Sequence, residues 1–146
     1  MPNLYVSDVE RAVAFYRDLL GGVETFLAPL AAAGVSIFHA STRRYWQPAF
    51  AGSDRTLAGW TRHLTGLPVI TVGSVGVAAA FRGTAEEVVQ PSLTLAPLVD
   101  LLERGEFDLV AVGRAVLADP EWAAKVADGR LPDIRPYDKS ADATLY

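Results

Sequence analysis

The sequence predicts an α/β domain built from parallel βα units, on three observations. From Val35 onward the pattern runs strand, helix, strand, helix, strand, helix, and that alternation argues for parallel βαβ connections. The strand segments are nearly continuous apolar runs, as expected of a sheet covered on both faces. The chain has 146 residues, 51% of them hydrophobic. A domain near this length buries roughly 70% of its unfolded surface and needs no staples.

An amphipathic helix comes first. Ser7-Asp8-Val9-Glu10 reads as a capping box, with Ser7 at the N-cap and Glu10 three residues on. Val9, Ala12, Val13, Tyr16, Leu19 and Leu20 recur at helical spacing and form one apolar face, which must be buried against the sheet layer or a partner. Gly21-Gly22 is expected to stop this helix, and a second, shorter one is expected over 24–33 with Gly34 at its end. Strands are expected at 35–40, 69–73 and 108–113. Between the first two lie a polar, ring-rich loop (41–54) and a helix near 56–65, broken by Gly66-Leu67-Pro68. A helix-like stretch and a loose segment follow Gly73-Ser74 and lead to a helix near 95–104. Asp119 as N-cap and Pro120 in the first helical position open the last helix, which Gly129 ends. The polar tail from Leu131 is expected to run extended along the surface.

Thirteen basic residues against 17 acidic give a net charge of -4, with a pI near 5.1. That balance argues against a nucleic-acid footprint, which calls for a basic patch. The absence of cysteine excludes disulfides, thiolate nucleophiles, zinc–cysteine sites and iron–sulfur clusters. No apolar run reaches the ~18 residues of a membrane span, and the first residues do not read as a signal peptide. A cytoplasmic protein is the expectation. His39 and His63 are far apart in sequence, which disfavours a histidine-rich metal site.

Ligands of parallel α/β folds lie beyond the carboxyl ends of the strands. Two strands here end in glycine followed by a polar residue, Val72-Gly73-Ser74 and Val112-Gly113-Arg114. Glycine lets a ligand approach the backbone, strand-end N–H groups favour a phosphate, and Arg114 adds a planar fork suited to phosphate oxygens. One such turn is explained by chain geometry alone. Two on successive strands, one of them with arginine, point to a phosphate site at Gly73, Ser74, Gly113 and Arg114. The loop from Ser41 to Pro48 mixes cations and rings. It either lines the mouth of that site or packs on itself, and the pattern leaves both open. His39 reads as a core or rim residue, His63 as a surface cation late in a helix, and Trp60 and Trp122 as packing anchors. No nucleophile–base–acid set is visible.

Several runs together carry a family likeness. They are Phe38-His39-Ala40-Ser41-Thr42-Arg43-Arg44-Tyr45-Trp46, Leu57-Ala58-Gly59-Trp60, Thr71-Val72-Gly73-Ser74-Val75-Gly76, Phe107-Asp108-Leu109-Val110-Ala111-Val112-Gly113-Arg114, Ala118-Asp119-Pro120-Glu121-Trp122 and Arg135-Pro136-Tyr137-Asp138. Over about residues 24–146 the chain resembles the C-terminal part of the old yellow enzyme family, FMN-dependent NAD(P)H:flavin oxidoreductases and ene-reductases that fold as a TIM barrel. The resemblance implies a partial TIM barrel, its last three strands. It implies FMN as cofactor, NADH or NADPH as reductant and an enone-type substrate, with Gly73, Ser74, Gly113 and Arg114 in the FMN phosphate site. A whole barrel takes about 200 to 250 residues. The early strands, which in that family carry the substrate's carbonyl-binding donors, have no counterpart here, so the isolated chain is expected to show little ene-reductase activity.

Residues 3–22 are similar instead to the opening strand and helix of the vicinal-oxygen-chelate superfamily, which usually holds a metal. The chain thus divides into 1–23, an oxygen-chelate-like start, and 24–146, the barrel portion. Alternatives to the flavin oxidoreductase are a non-catalytic half-barrel that oligomerises or pairs with a complementing half, and a metal-dependent oxygen-chelate protein.

Overall fold

The computed structural model describes residues 9–77 and 91–143. Ser7, the expected N-cap, and most of the loose segment after Ser74 lie outside them. The described residues form a mixed α/β fold with a three-stranded parallel sheet in the order β1-β2-β3. The strands are β1 (Phe38–Ser41), β2 (Val69–Val72) and β3 (Leu109–Val110). Phe38 pairs with Val69 and Ser41 with Val72; Ile70 pairs with Leu109 and Thr71 with Val110. The expected α/β class and parallel βα units are present, as an open sheet and not a closed barrel.

The first helix, α1 (Val9–Ala32), runs without a break through Gly21 and Gly22 and packs on α2 (Leu57–Thr65). This corrects the expectation of two helices. Glycine ends a helix by turning left-handed, and neither Gly21 nor Gly22 does so. Held in helical geometry, each costs about 1 kcal/mol relative to alanine, and the residues beyond, including buried Leu27, continue the packed helix. The true end is at Gly34. Gly34 N–H donates to Ala31 O at 3.0 Å and Val35 N–H to Leu30 O at 3.1 Å, the paired bonds of a Schellman motif. Because Val35 N–H closes α1, β1 starts at Phe38 and not at Val35.

Thr56 caps α2 (Leu57–Thr65) by accepting Gly59 N–H at 3.0 Å. Its own N–H and hydroxyl donate to Glu106 Oε2 at 2.9 and 3.0 Å, which ties the start of α2 to the turn after α3. The helix α3 runs Pro91–Glu103, beginning earlier than expected because proline is tolerated in a first turn. β3 is shorter than its apolar run. It meets a strand on one side only among the described residues, through ladder bonds from Asp108 N–H to Val69 O and Ala111 N–H to Thr71 O, both 2.9 Å. The core gathers Tyr45, Val69, Leu98, Phe107, Ala115 and Trp122.

Beyond β3 lie α4 (Arg114–Ala118) and α5 (Trp122–Ala127). The helix α5 begins only at Trp122, with Glu121 and not Asp119 at its N-cap position and no side-chain cap bond, which corrects the expected start. Asp119 Oδ1 accepts Glu121 N–H at 3.2 Å, and its other oxygen takes Lys125 Nζ at 2.7 Å and Arg135 N–H at 2.9 Å. The tail is not an extended strap. It makes two short 3-10 turns, Leu131–Asp133 and Lys139–Ala143, and buries Ile134 between them. Trp122 packs as expected, against Ala115 and Gly76. Trp60 sits among Phe50, His63 and the Arg55 guanidinium.

Candidate functional site

All four residues that the strand ends singled out line one cleft of about 410 Å³ beyond the carboxyl ends of β2 and β3. Gly73 and Ser74 come from the turn after β2, Gly113 from the turn after β3 and Arg114 from the first position of α4. The third wall is Ser41, the last residue of β1, with Thr42 and Arg43 after it. The question left open for the cation-and-ring loop is thereby answered in part: its first residues line the cleft, while Tyr45 and Trp46 pack edge to face, with centroids 4.9 Å apart.

The turn after β2 is fastened to that loop. Thr42 N–H donates to Val72 O at 3.0 Å, Tyr45 N–H to Gly73 O at 3.1 Å, and the Ser74 hydroxyl to Arg43 O at 2.9 Å. Ser74 holds a left-handed conformation, φ 56°, which is uncommon outside glycine. Tyr45 is 1% exposed, and burial pushes its phenol up to about 12. It is a neutral anchor beneath the loop.

The role first assigned to Gly73, room for a ligand, needs correcting. Its φ is +154°, and a Cβ there would stand 2.5 Å from Thr42 O and 3.0 Å from Tyr45 N. The space at Gly73 is filled by protein. Gly73→Ala is therefore expected to cost about 1–3 kcal/mol through overpacking against backbone. A lowered urea midpoint would register it, and an unchanged midpoint would show that the loop yields freely. Gly113 is the opposite case, since a Cβ built there meets nothing within 4 Å. Of the two glycines, it is the one that borders open space.

Among the described residues the cleft's lining includes Arg43 and Arg114 and no carboxylate, in a protein whose net charge is -4. The Arg114 guanidinium carbon lies 5.2 Å from the centre of the Tyr137 ring. Tyr137 in turn donates its hydroxyl to Asp142 Oδ1 at 2.8 Å. The ring-and-carboxylate pair behind Arg114 went unassigned in the sequence, although Arg135-Pro136-Tyr137-Asp138 had marked the segment. Of the two histidines, His39 is exposed on β1 and His63 exposed on α2. Among the described residues no three His, Asp or Glu side chains gather to hold a metal ion, and no helix is long and apolar enough to cross a membrane.

No protein-family model matches the chain. It is 32% identical over 111 residues to a protein named NADH oxidase from Thermoanaerobacter brockii, a match that covers 70% of this chain. The chain spans 14% of that relative's length.

Proposed function

We propose that this chain is part of an NAD(P)H-dependent oxidoreductase, and that its strand-end cleft holds the phosphate of FMN. The observation that carries the reading is the meeting of Gly73, Ser74, Gly113 and Arg114 in one cleft at the carboxyl ends of parallel strands. The similarity to an NADH oxidase supports the oxidoreductase class, and the likeness to the old yellow enzyme family supports FMN and an enone-type substrate.

The residues fit a phosphate. A doubly charged anion suits a lining that carries two arginines and, among the described residues, no carboxylate, and Arg114 supplies a planar fork for two oxygens. Backbone N–H groups around Gly73, Ser74 and Gly113 complete the cradle in this proposal. When bound, FMN supplies hydride-transfer chemistry, and the part of this chain is to hold and orient its phosphate end. Residues 24–146 are the barrel portion and 1–23 a separate start, joined within α1. The outer edges of β1 and β3 carry no further strand among the described residues, and Leu109 on β3 is 53% exposed. A complementing half-barrel or a second copy is the partner that would cover them.

Comparing FMN with riboflavin, which lacks the phosphate, tests the reading. The purified chain is expected to bind FMN at least tenfold more tightly, in keeping with charge-assisted bonds worth about 1.5–3 kcal/mol. Equal affinity for the two would remove the phosphate site.

A further inference from the structure

The short helix α4 is gripped at both ends by the same downstream segment. At its C-terminal end Asp119, 0% exposed, accepts the N–H of Arg135 at 2.9 Å and the Lys125 ammonium at 2.7 Å. The neighbouring Ile134 is buried, so the tail is pinned at this point by a polar and an apolar contact together. Two residues past Arg135, at the other end of α4, the Tyr137 ring lies against the Arg114 guanidinium, and Asp142 accepts the Tyr137 hydroxyl. Lys139–Ala143 forms a 3-10 turn that packs on α4.

We infer that the tail segment 135–142 is a positioning element of the cleft, with Tyr137 as the platform that holds the Arg114 guanidinium in place at its mouth. The inference rests on the phosphate reading above and deepens it. An arginine side chain has many rotamers, and an anion that must first order one binds more weakly than an anion that finds the fork already set. Tyr137 supplies that order in two ways: the electron-rich face of its ring attracts the cation, and its hydroxyl oxygen accepts a hydrogen bond from the guanidinium. Asp142, which accepts the phenol's hydrogen bond, adds electron density to the same ring. Burial and the Asp142 bond both push the Tyr137 phenol above its ordinary value, so the ring stays neutral and keeps its donor over the whole working range. Tyr137 is thus a positioning residue that acts through Arg114.

Calorimetric titration of inorganic phosphate and of FMN into the wild type, Tyr137→Leu, Tyr137→Phe, Asp142→Ala and Arg114→Ala tests this. Tyr137→Leu is expected to weaken both ligands about three- to tenfold. Tyr137→Phe, which keeps the ring but loses the hydroxyl that accepts from Arg114, should fall between the wild type and Tyr137→Leu. Asp142→Ala, a change at an exposed side chain, should cause a smaller loss in the same direction and supplies a second route should the leucine variant not fold. A purely structural role for the ring predicts lowered melting temperatures with the phosphate and FMN affinities unchanged. Wild-type affinity in both Tyr137→Leu and Asp142→Ala, with Arg114→Ala weakened, would overturn the platform and leave the cleft standing. Equal affinity in the wild type and Arg114→Ala would overturn the phosphate reading, and the platform with it.

Discussion

Asp119→Ala is expected to destabilise the protein by about 3–5 kcal/mol, the usual cost of breaking a buried ion pair from one side. Asp119 is fully buried, and the Lys125 side chain it holds is itself only 10% exposed. Removing the carboxylate also leaves the N–H groups of Glu121 and Arg135 without their acceptor. Glu121, whose carboxylate is 3.6 Å from Lys125 Nζ and largely in solvent, compensates little. For a chain of this size the loss corresponds to a fall in melting temperature of roughly 6–20 °C. Replacing the pair together, Asp119→Leu with Lys125→Met, should recover the part due to the unpaired ammonium but not the part due to the Glu121 and Arg135 N–H groups, which stay without their acceptor. A single Asp119→Ala variant that melts with the wild type would refute the assignment.

The same carboxyl sets an acid limit. Burial opposes its charge, but the Lys125 ammonium and the N–H groups of Arg135 and Glu121 outweigh that opposition and hold it below the usual carboxylate range. A carboxyl with a depressed folded-state pKa contributes stability above its unfolded value, about 3.9. That contribution fades as the pH falls through the lower folded value. The urea midpoint of the wild type should therefore drop below about pH 4 more steeply than that of the Leu/Met double variant.

Arg114→Ala is the second large effect expected, this time on binding. A charge-assisted arginine contact contributes about 1.5–3 kcal/mol, so the affinity for FMN or phosphate should fall roughly ten- to a hundredfold. The fold should remain, because Arg114 stands at the mouth of the cleft outside the apolar core. Arg114→Lys should restore only part of the loss, since a compact ammonium cannot reproduce a fork that spans two oxygens.

Much of the frame was legible in the residues. Alternating apolar runs and glycine-ended helices located the sheet, and Val72-Gly73-Ser74 with Val112-Gly113-Arg114 located the cleft, because strand ends in parallel sheets converge on one side. What escaped depended on partners distant in sequence. Gly21-Gly22 looked like a stop because sequence does not show whether a glycine turns left-handed or stays helical. Asp119 looked like a helix cap because Lys125 and Arg135 become its neighbours only after folding. Gly73 looked like room for a ligand, and in the fold Thr42 and Tyr45 occupy that room. The tail looked solvated because its composition is polar, while its single buried isoleucine and Tyr137 fasten it back to α4.

Recognition of a phosphate group by Arg114 and the glycine turns is tested by a calorimetric cycle of FMN and riboflavin against the wild type and Arg114→Ala. The wild type is expected to prefer FMN strongly, Arg114→Ala to lose that preference, and the riboflavin affinities of the two proteins to agree. A preference for FMN that survives the substitution unchanged, or a loss equal for both flavins, would contradict it.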